Sequence, residues 1–296
     1  MPEIASHLLN PLEPFADSFV RRCSEGHTRL RNASVAFVGL ARNCGVRLAQ
    51  NLGALETLAD GLGSWQLHIE ANDCEDQTLD VLAEFSRQHR QATFHYQMLN
   101  RGHYPAEFAG RRTIALAEYR DACQRWVRAC AGNADYVVVI DWDMWGGWSH
   151  HGLLNAIGWL VELPGAYGMT SVSLFQYDWG NGPQWAHYDL WALRGVGQTE
   201  CYWDTYQNGY GGWGYGWMPP VGSPPVLVSS AFGGMAVYRT DAFLSGTYDG
   251  TNDCEHVAFH YSIARATGQH LYLCPAMRTL MSWLPEPCAA TPQPSA

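Results

Sequence analysis

The triplet Asp141-Trp142-Asp143 directly follows the apolar run 136–140, YVVVI. An unbroken run of this kind suits a central strand covered on both faces, which puts the two acids at its carboxyl end. Carboxylates two residues apart at a strand end can both turn toward one cation, directly or through water. Hard ions such as Mg2+ and Mn2+ take oxygen ligands of this type and accept phosphate oxygens as well. An ion held there would neutralise charge on a departing diphosphate, as Lewis acid and as template. Asp141 and Asp143 are therefore candidate metal ligands, and Asp141 and Trp142 candidate contacts of the phosphate-bearing ligand. The competing reading is a turn whose acid caps the helix starting near Ser149.

Further groups have types and spacings that fit such a ligand. Arg112 and Arg120 lie two turns apart on one expected helix, roughly 80° around its axis. Arginine forks match phosphate oxygens, although Arg111, Arg112 and Arg120-Asp121 also suit a solvated face with ion pairs. At 39–43 the sequence Gly39-Leu40-Ala41-Arg42-Asn43 ends another apolar run, and small residues there let backbone approach a base or ribose. Glu70 ends a third run and could meet ribose hydroxyls, while Asp76 reads as the cap of the helix that follows it. Near the C-terminus stands Asp253-Cys254-Glu255-His256, with His260 one helical turn on. Asp253 or Glu255 could serve as a base, and His256 could complete a metal shell. Without H-E-x-x-H the two histidines do not indicate zinc, and a polar helix face is the alternative. The aromatic segment 178–217, with Trp179, Trp185, Tyr188, Trp191, Trp203, Trp213 and Trp217, could stack sugar rings or fill a satellite core.

The elements that position these residues alternate. Strands are expected at 34–40 (SVAFVGL), 65–71 (WQLHIEA), 93–97 and 136–140. Helices are expected at 45–60, 76–89 and 110–131, the last with an apolar seam of Leu116, Tyr119, Cys123, Trp126 and Cys130. The β-α-β-α-β-α-β order implies a mostly parallel sheet with right-handed crossovers, whose ligands bind beyond the carboxyl ends of the strands. The second half is less regular. It offers helices at 149–162 and 254–267 and strands at 167–174, 226–230 and 271–273. Between them lies a long glycine-aromatic excursion over 178–224, of the kind that forms lids and binding loops. The resulting organisation is an N-terminal extension (1–33), one domain (34–284) divided into a nucleotide-side half (34–148) and an acceptor-side half (149–284), and a Pro- and Ala-rich disordered tail (285–296).

Composition narrows the function. With 296 residues and 47% hydrophobic side chains the chain can build a full core. A net charge of −10, with no basic stripe, excludes nucleic acid as a partner. The nine cysteines are odd in number and include no C-x-x-C pair, so reduced thiols in a cytoplasmic protein are expected. No apolar run reaches the length of a membrane span, and the N-terminus lacks the pattern of a signal peptide.

Seven segments occur in order: VAFVGLARN (35–43), HIEANDCEDQTL (68–79), RTIALAEYRD (112–121), DYVVVIDWD (135–143), YDLWALR (188–194), FGGMAVYR (232–239) and DCEHVAFH (253–260). Together they resemble GT-A glycosyltransferases, especially the group around fungal capsule-associated α-1,3-mannosyltransferases. The resemblance implies a GT-A fold, a Rossmann-like nucleotide-binding half with a mixed, mainly parallel sheet plus an acceptor half. It implies a nucleotide-sugar donor such as a UDP- or GDP-sugar, a glycan acceptor, and Mn2+ or Mg2+. By the same resemblance Asp141 and Asp143 fall on the metal and diphosphate site, Arg120 on a donor-side arginine, Glu70 and Asn72 near the nucleoside, and Gly233-Gly234 on a turn near the donor sugar. Asp121 stands where these relatives tend to have Asn. A carbohydrate-binding protein on a degenerate scaffold and a metal-dependent phosphohydrolase are the rival functions.

Overall fold

In the computed structural model residues 2–102, 104 and 109–285 are described, apart from the side chains at 210 and 211. The tail expected over 285–296 falls, beyond residue 285, outside the described residues. The first half runs α1 (Ala16–Leu30), β1 (Ser34–Ala41), α2 (Gly45–Ala59), β2 (Ser64–Asn72), α3 (Thr78–Gln88), β3 (Ala92–Gln97), α4 (Arg111–Cys130), β4 (Tyr136–Asp141). The second half runs β5 (Gly147–Trp148), α5 (His150–Glu162), β6 (Ala166–Asp178), β7 (Pro183–His187), α6 (Tyr202–Gln207), α7 (Tyr210–Trp213), β8 (Val226–Val228), β9 (Met235–Arg239), α8 (Thr240–Ser245), α9 (Glu255–Thr267) and β10 (His270–Ser282).

The strands form one sheet in the order β3-β2-β1-β4-β9-β6-β10-β5, with β7 on β6 and β8 on β10. The four strands expected from the first half are parallel neighbours. β9 enters between β4 and β6 antiparallel to both, so the sheet is mixed and mainly parallel. Sequence reading missed β9, whose five residues offer too short a pattern. It also stopped β6 and β10 short, because a bulge after Leu273 breaks the alternation of β10.

Two apolar layers cover the sheet. One packs α2, α3 and α5 against β1, β2 and β4 through Leu48, Leu52, Leu82, Leu153 and Ile157. The other packs α4, α8 and α9 through Cys123, Val127, Phe243, Phe259 and Ile263. The chain before Ser34 belongs to the same body. Leu30 joins the first layer. Arg22, 5% exposed, joins α1 to α5 through Glu162 at 2.9 Å and lies over Trp159.

The buried stripe of α4 differs from the expected seam. Thr113, Ala117, Arg120, Gln124 and Val127 face inward, whereas Cys130 is exposed. Three polar residues on the inner stripe disguised it. All have partners: Thr113 donates to the Gly250 carbonyl, Gln124 donates to the carbonyls of Phe243 and Gly246, and Arg120 is held by two acids.

Candidate active site

Chain order reverses between β1 and β4. From β1 the chain steps outward to β2 and β3, then returns through α4 to the other side of β1. Such a switch point opens a crevice beyond the carboxyl ends of the two strands. Leu40 is paired with Asp141 across β1 and β4, so both strands end together at this crevice. A cleft of about 480 Å³ lies there.

Its floor comes from the strand ends. Asp141 is the last residue of β4, and Asp143 follows in an exposed turn. Both line the cleft, whereas Trp142 between them is wholly buried in the opposite apolar layer. Asn51 on α2 donates to the carbonyl oxygens of Trp142 and Met144 at 2.9 and 3.1 Å, fixing the turn. Trp142 is thus the anchor that faces the two acids outward, and its side chain, expected at the bound ligand, does not line the cleft. A Cβ on Gly39 would sit 1.9 Å from the carbonyl oxygen of Ile140 and 2.6 Å from the Trp142 indole nitrogen. Gly39 therefore makes room for this indole inside the sheet and does not line the cleft.

Arg120 reaches the floor from α4. Its Nη2 donates to Asp141 Oδ1 at 3.1 Å and its Nε to Glu255 Oε1 at 2.8 Å, with the guanidinium over the Phe232 ring. Burial works against this charge, but Asp141 and Glu255 more than offset it and raise the Arg120 pKa. Burial also raises the Asp141 pKa. Arg120 lowers it, and the neighbouring Asp143 raises it again. Asp141 is thus a poorly solvated carboxylate beside the exposed Asp143, and the one arginine it meets is already engaged by a third acid.

Glu255 and His256 open α9 and both line the cleft. His256 stacks on Phe232 with ring centres 3.8 Å apart, and neither of its ring nitrogens has a hydrogen-bond partner among the described residues. Burial, together with Arg120 and His260, depresses its pKa far below the usual histidine range, so the ring is neutral. His260, one turn on, is a satisfied core residue. Its Nδ1 pairs with Ser230 Oγ and its Nε2 with the Tyr238 hydroxyl.

The cleft walls hold Ala41 and Arg42 from the end of β1, Asn72 from the end of β2, Arg47 from α2, Arg112 from α4, and Tyr188, Asp189 and Trp191 from the excursion. Arg42 is braced by the carbonyls of Arg101 and Gly102. Asp73 supports the same segment, accepting from the backbone of Leu99, Asn100 and Arg101. The Arg112 guanidinium lies 5.2 Å from the Trp191 ring centre. All 18 basic residues of this chain are arginine, so every strong cation near the cleft is a planar fork.

Asp189 carried no signal in the sequence, being a lone acid inside an aromatic stretch. In the structure its Oδ2 accepts from the Gly233 amide at 2.8 Å. Gly233 and Gly234 both have positive φ, 71° and 80°, which side chains disfavour. Ser171 and Thr279 donate to the Gly233 carbonyl, and the Gly234 carbonyl accepts from the Asp141 amide. The double-glycine turn thereby holds the backbone of Asp141. Gly234 lines the cleft, while Gly233 lies behind it.

Two other expected site residues are committed elsewhere. Glu70 lies at the side of the sheet, not in the cleft, held by His68 Nε2 at 3.0 Å and His95 Nδ1 at 2.9 Å. Asp253 receives Arg194 Nη2 on both oxygens, at 2.8 and 2.6 Å, and fastens residues 194–202 through the Tyr202 amide. Asp76 does act at helix starts. It accepts from the Thr78 amide and, across to α2, from the Gly45 amide.

Among the described residues no three His, Cys, Asp or Glu side chains converge as a closed metal cage. The donor set at the floor is two carboxylates; His256, expected to complete the shell, lines the same cleft but does not converge with them as a third ligand. This pair fits an ion that takes most of its ligands from a substrate's phosphates and water, as Mg2+ and Mn2+ do, and it does not fit a structural zinc site.

No protein-family model and no curated protein matches the chain. Solved structures do. GalNAc-T7, solved with UDP, GalNAc and Mn2+, is similar over 86% of this chain at 11% identity and a TM-score of 0.51, and the chain spans 45% of it. The mannosyltransferase PcManGT from Pyrobaculum calidifontis, with GDP-Man and Mn2+, is similar over 93% of this chain and 67% of its own, at 13% identity and a TM-score of 0.49. Mannosyl-3-phosphoglycerate synthase from Rubrobacter xylanophilus covers 94% of this chain and 73% of its own, at 15% identity and a TM-score of 0.48. The likeness is one of fold: the chain has the mixed, mainly parallel α/β architecture of GT-A glycosyltransferases. No single group of them, the fungal capsule-associated one included, is singled out. No helix among the described residues is long and apolar enough to cross a membrane.

Proposed function

We propose that this chain transfers a sugar from a nucleotide-diphosphate sugar, such as a UDP- or GDP-sugar, to a hydroxyl of a glycan acceptor. The observation that carries the proposal is the pair Asp141 and Asp143 at the floor of a cleft at the sheet's switch point, with arginines on its walls. Asp141 and Asp143 would hold Mn2+ or Mg2+, with the remaining ligands coming from the donor's phosphates and water. The ion, when bound, takes up negative charge as the diphosphate departs. Arg112 and Arg120 face the same space and match phosphate oxygens through their forks. Ala41, Arg42 and Asn72 stand at the ends of β1 and β2, where a nucleoside would lie beside the switch point. Arg120 also keeps Asp141 oriented, because its other contact, Glu255, is immobilised on α9.

Of the two carboxylates considered as a base, Glu255 faces the cleft and Asp253 does not. One oxygen of Glu255 accepts from Arg120 and the other from the Cys254 thiol at 3.6 Å; Glu255 is the carboxylate that would take the proton of an attacking hydroxyl if the transfer inverts. Tyr188, Asp189, Trp191, Phe232 and Gly234 wall the cleft, and water excluded by a bound ligand would strengthen each charge interaction within it.

Thermal unfolding of the native protein and of Asp143→Ala, with Mn2+ and a panel of UDP-, GDP-, CMP- and dTDP-sugars, tests the reading. A ligand that binds the native state raises its midpoint. One donor should stabilise the native protein only with Mn2+ or Mg2+, and Asp143→Ala should lose that stabilisation while keeping its ligand-free midpoint. A variant that responds to donor and metal as the native protein does would refute it.

A further inference from the structure

The cleft continues outward along a row of aromatic rings. Tyr188, 47% exposed, lines the cleft and meets Phe175 edge-on at 5.4 Å between ring centres. Phe175 contacts Tyr177 at 5.9 Å, and Tyr177 contacts Trp179 at 4.8 Å. Tyr215 lies behind, 5.9 Å from Trp179 and 6.2 Å from Phe175. Phe175 and Tyr177 are alternate residues at the end of β6, so one face of the strand presents them together, and Trp179 follows directly after its last residue. Tyr177 and Trp179 are 45% and 49% exposed.

The row is built rigidly. β6 pairs with β7, and at the hairpin tip Asp178 Oδ1 accepts from the amides of Gly180 and Gly182 at 2.7 and 3.0 Å. Exposed rings of this size on a fixed hairpin are not needed by the core, which closes beneath them through Leu174 and Leu190. Their chemistry defines what they face. Between 175 and 217 the only basic side chain is Arg194, wholly buried on Asp253, while the acids number four, Asp178, Asp189, Glu200 and Asp204. This segment itself offers no exposed arginine to an anionic chain or an anionic lipid surface, although Arg112 of the cleft stands near the inner end of the row, at Tyr188. A neutral, hydroxyl-rich ring with an apolar C–H face does fit, because the negative face of an aromatic ring attracts polarised C–H groups.

We propose that the row from Tyr188 to Trp179 is an acceptor track that binds an extended neutral oligosaccharide, leading its terminal hydroxyl into the cleft. As an acceptor track it rests on the transferase reading; as a sugar-binding surface it does not. The track is longer than one hexose, so affinity must grow with the number of sugar units.

The test is titration of the native protein with linear gluco-, manno-, galacto- and N-acetylglucosamine oligosaccharides of one to six units, followed by tryptophan fluorescence and calorimetry, without donor or metal. At least one series should bind more tightly with length. Trp179→Ala should weaken the six-unit ligand roughly ten-fold and leave the one-unit ligand unaffected, from the loss of one ring's stacking. Trp179→Phe should retain most of the affinity and Trp179→Leu should not, whereas a merely packing role would make the two alike. No length-dependent binding in any series, or equal affinity of native protein and Trp179→Ala for the six-unit ligand, would overturn the proposal. The nucleotide-sugar panel on the same samples separates the two readings. Donor binding without any Trp179-dependent oligosaccharide binding sinks the track alone. The reverse pattern keeps the surface and sinks the transferase.

Discussion

Replacing Arg120 with Met keeps most of the side-chain stem and removes the charge that joins α4, β4 and α9. Arg120 lies 3.1 Å from Asp141 and 2.8 Å from Glu255, and the three side chains are 6%, 25% and 2% exposed. At an effective dielectric near 20, each pair has a gross attraction of about 4 kcal/mol at roughly 4 Å between charge centres. Burial of the three groups cancels most of this while all are present. Truncating the shared partner does not restore the lost hydration, and leaving buried charge uncompensated costs about 3–5 kcal/mol. That is a large share of the roughly 5–15 kcal/mol that stabilises a typical domain. Urea unfolding followed by fluorescence should therefore show a lower midpoint for Arg120→Met with an unchanged slope. Arg120→Lys should fall between, since one point charge cannot match two acids as a fork does. Adding Glu255→Gln to Arg120→Met should recover part of the loss, with a coupling above about 1 kcal/mol. An Arg120→Met protein within about 1 kcal/mol of the native one, or strictly additive changes in the double variant, would refute the bridge as the brace of the cleft floor.

Two further outcomes follow from the same geometry. Gly39→Ala should destabilise the chain by at least about 1–3 kcal/mol, the usual cost of overpacking, because the new methyl meets the Ile140 carbonyl and the Trp142 indole; a denaturant midpoint equal to the native one would show that Trp142 moves freely. Burial pushes the pKa of His187 and of His260 down to about 3 and that of His256 well below 6.5. Below pH 6.5 the unfolded chain therefore binds protons that the native chain refuses, and stability falls with pH by about 1.4 kcal/mol per unit for each such histidine. Asp141 and Asp189, whose pKa values are raised mainly by burial, act in the opposite sense and offset part of this. His260→Gln should reduce the proton uptake on unfolding between pH 6 and 4 by about one, measured from unfolding free energies across that range, and an unchanged uptake would mean that His260 titrates in the native state.

The sequence by itself determined the parallel half of the sheet. Runs such as YVVVI and SVAFVGL have one physical use, a strand buried on both faces, and the helical spacings between them fix the crossovers. That order alone placed Asp141, Asp143, Ala41 and Arg42 at one edge, since the ends of parallel strands are neighbours by construction. What only the tertiary structure decided is which polar residues are shared and by whom. Arg120 reads as a phosphate clamp or as part of a solvated face, and neither reading foresees that it is buried on Glu255, 135 positions away. Asp253 and Glu255 are two residues apart, and the chain gives no sign that Arg194 closes one while the other faces the cleft. Trp179 and Tyr188 were legible as sugar-stacking candidates, but not that Phe175 and Tyr177 join them in one row, nor that Asp189 holds the Gly233 turn. Hydrophobic periodicity is a local property, repeated every two or three to four residues, and is visible in a short window. Ion pairing and burial of charge are pairwise properties of residues brought together by the sheet, and no window along the chain contains both partners.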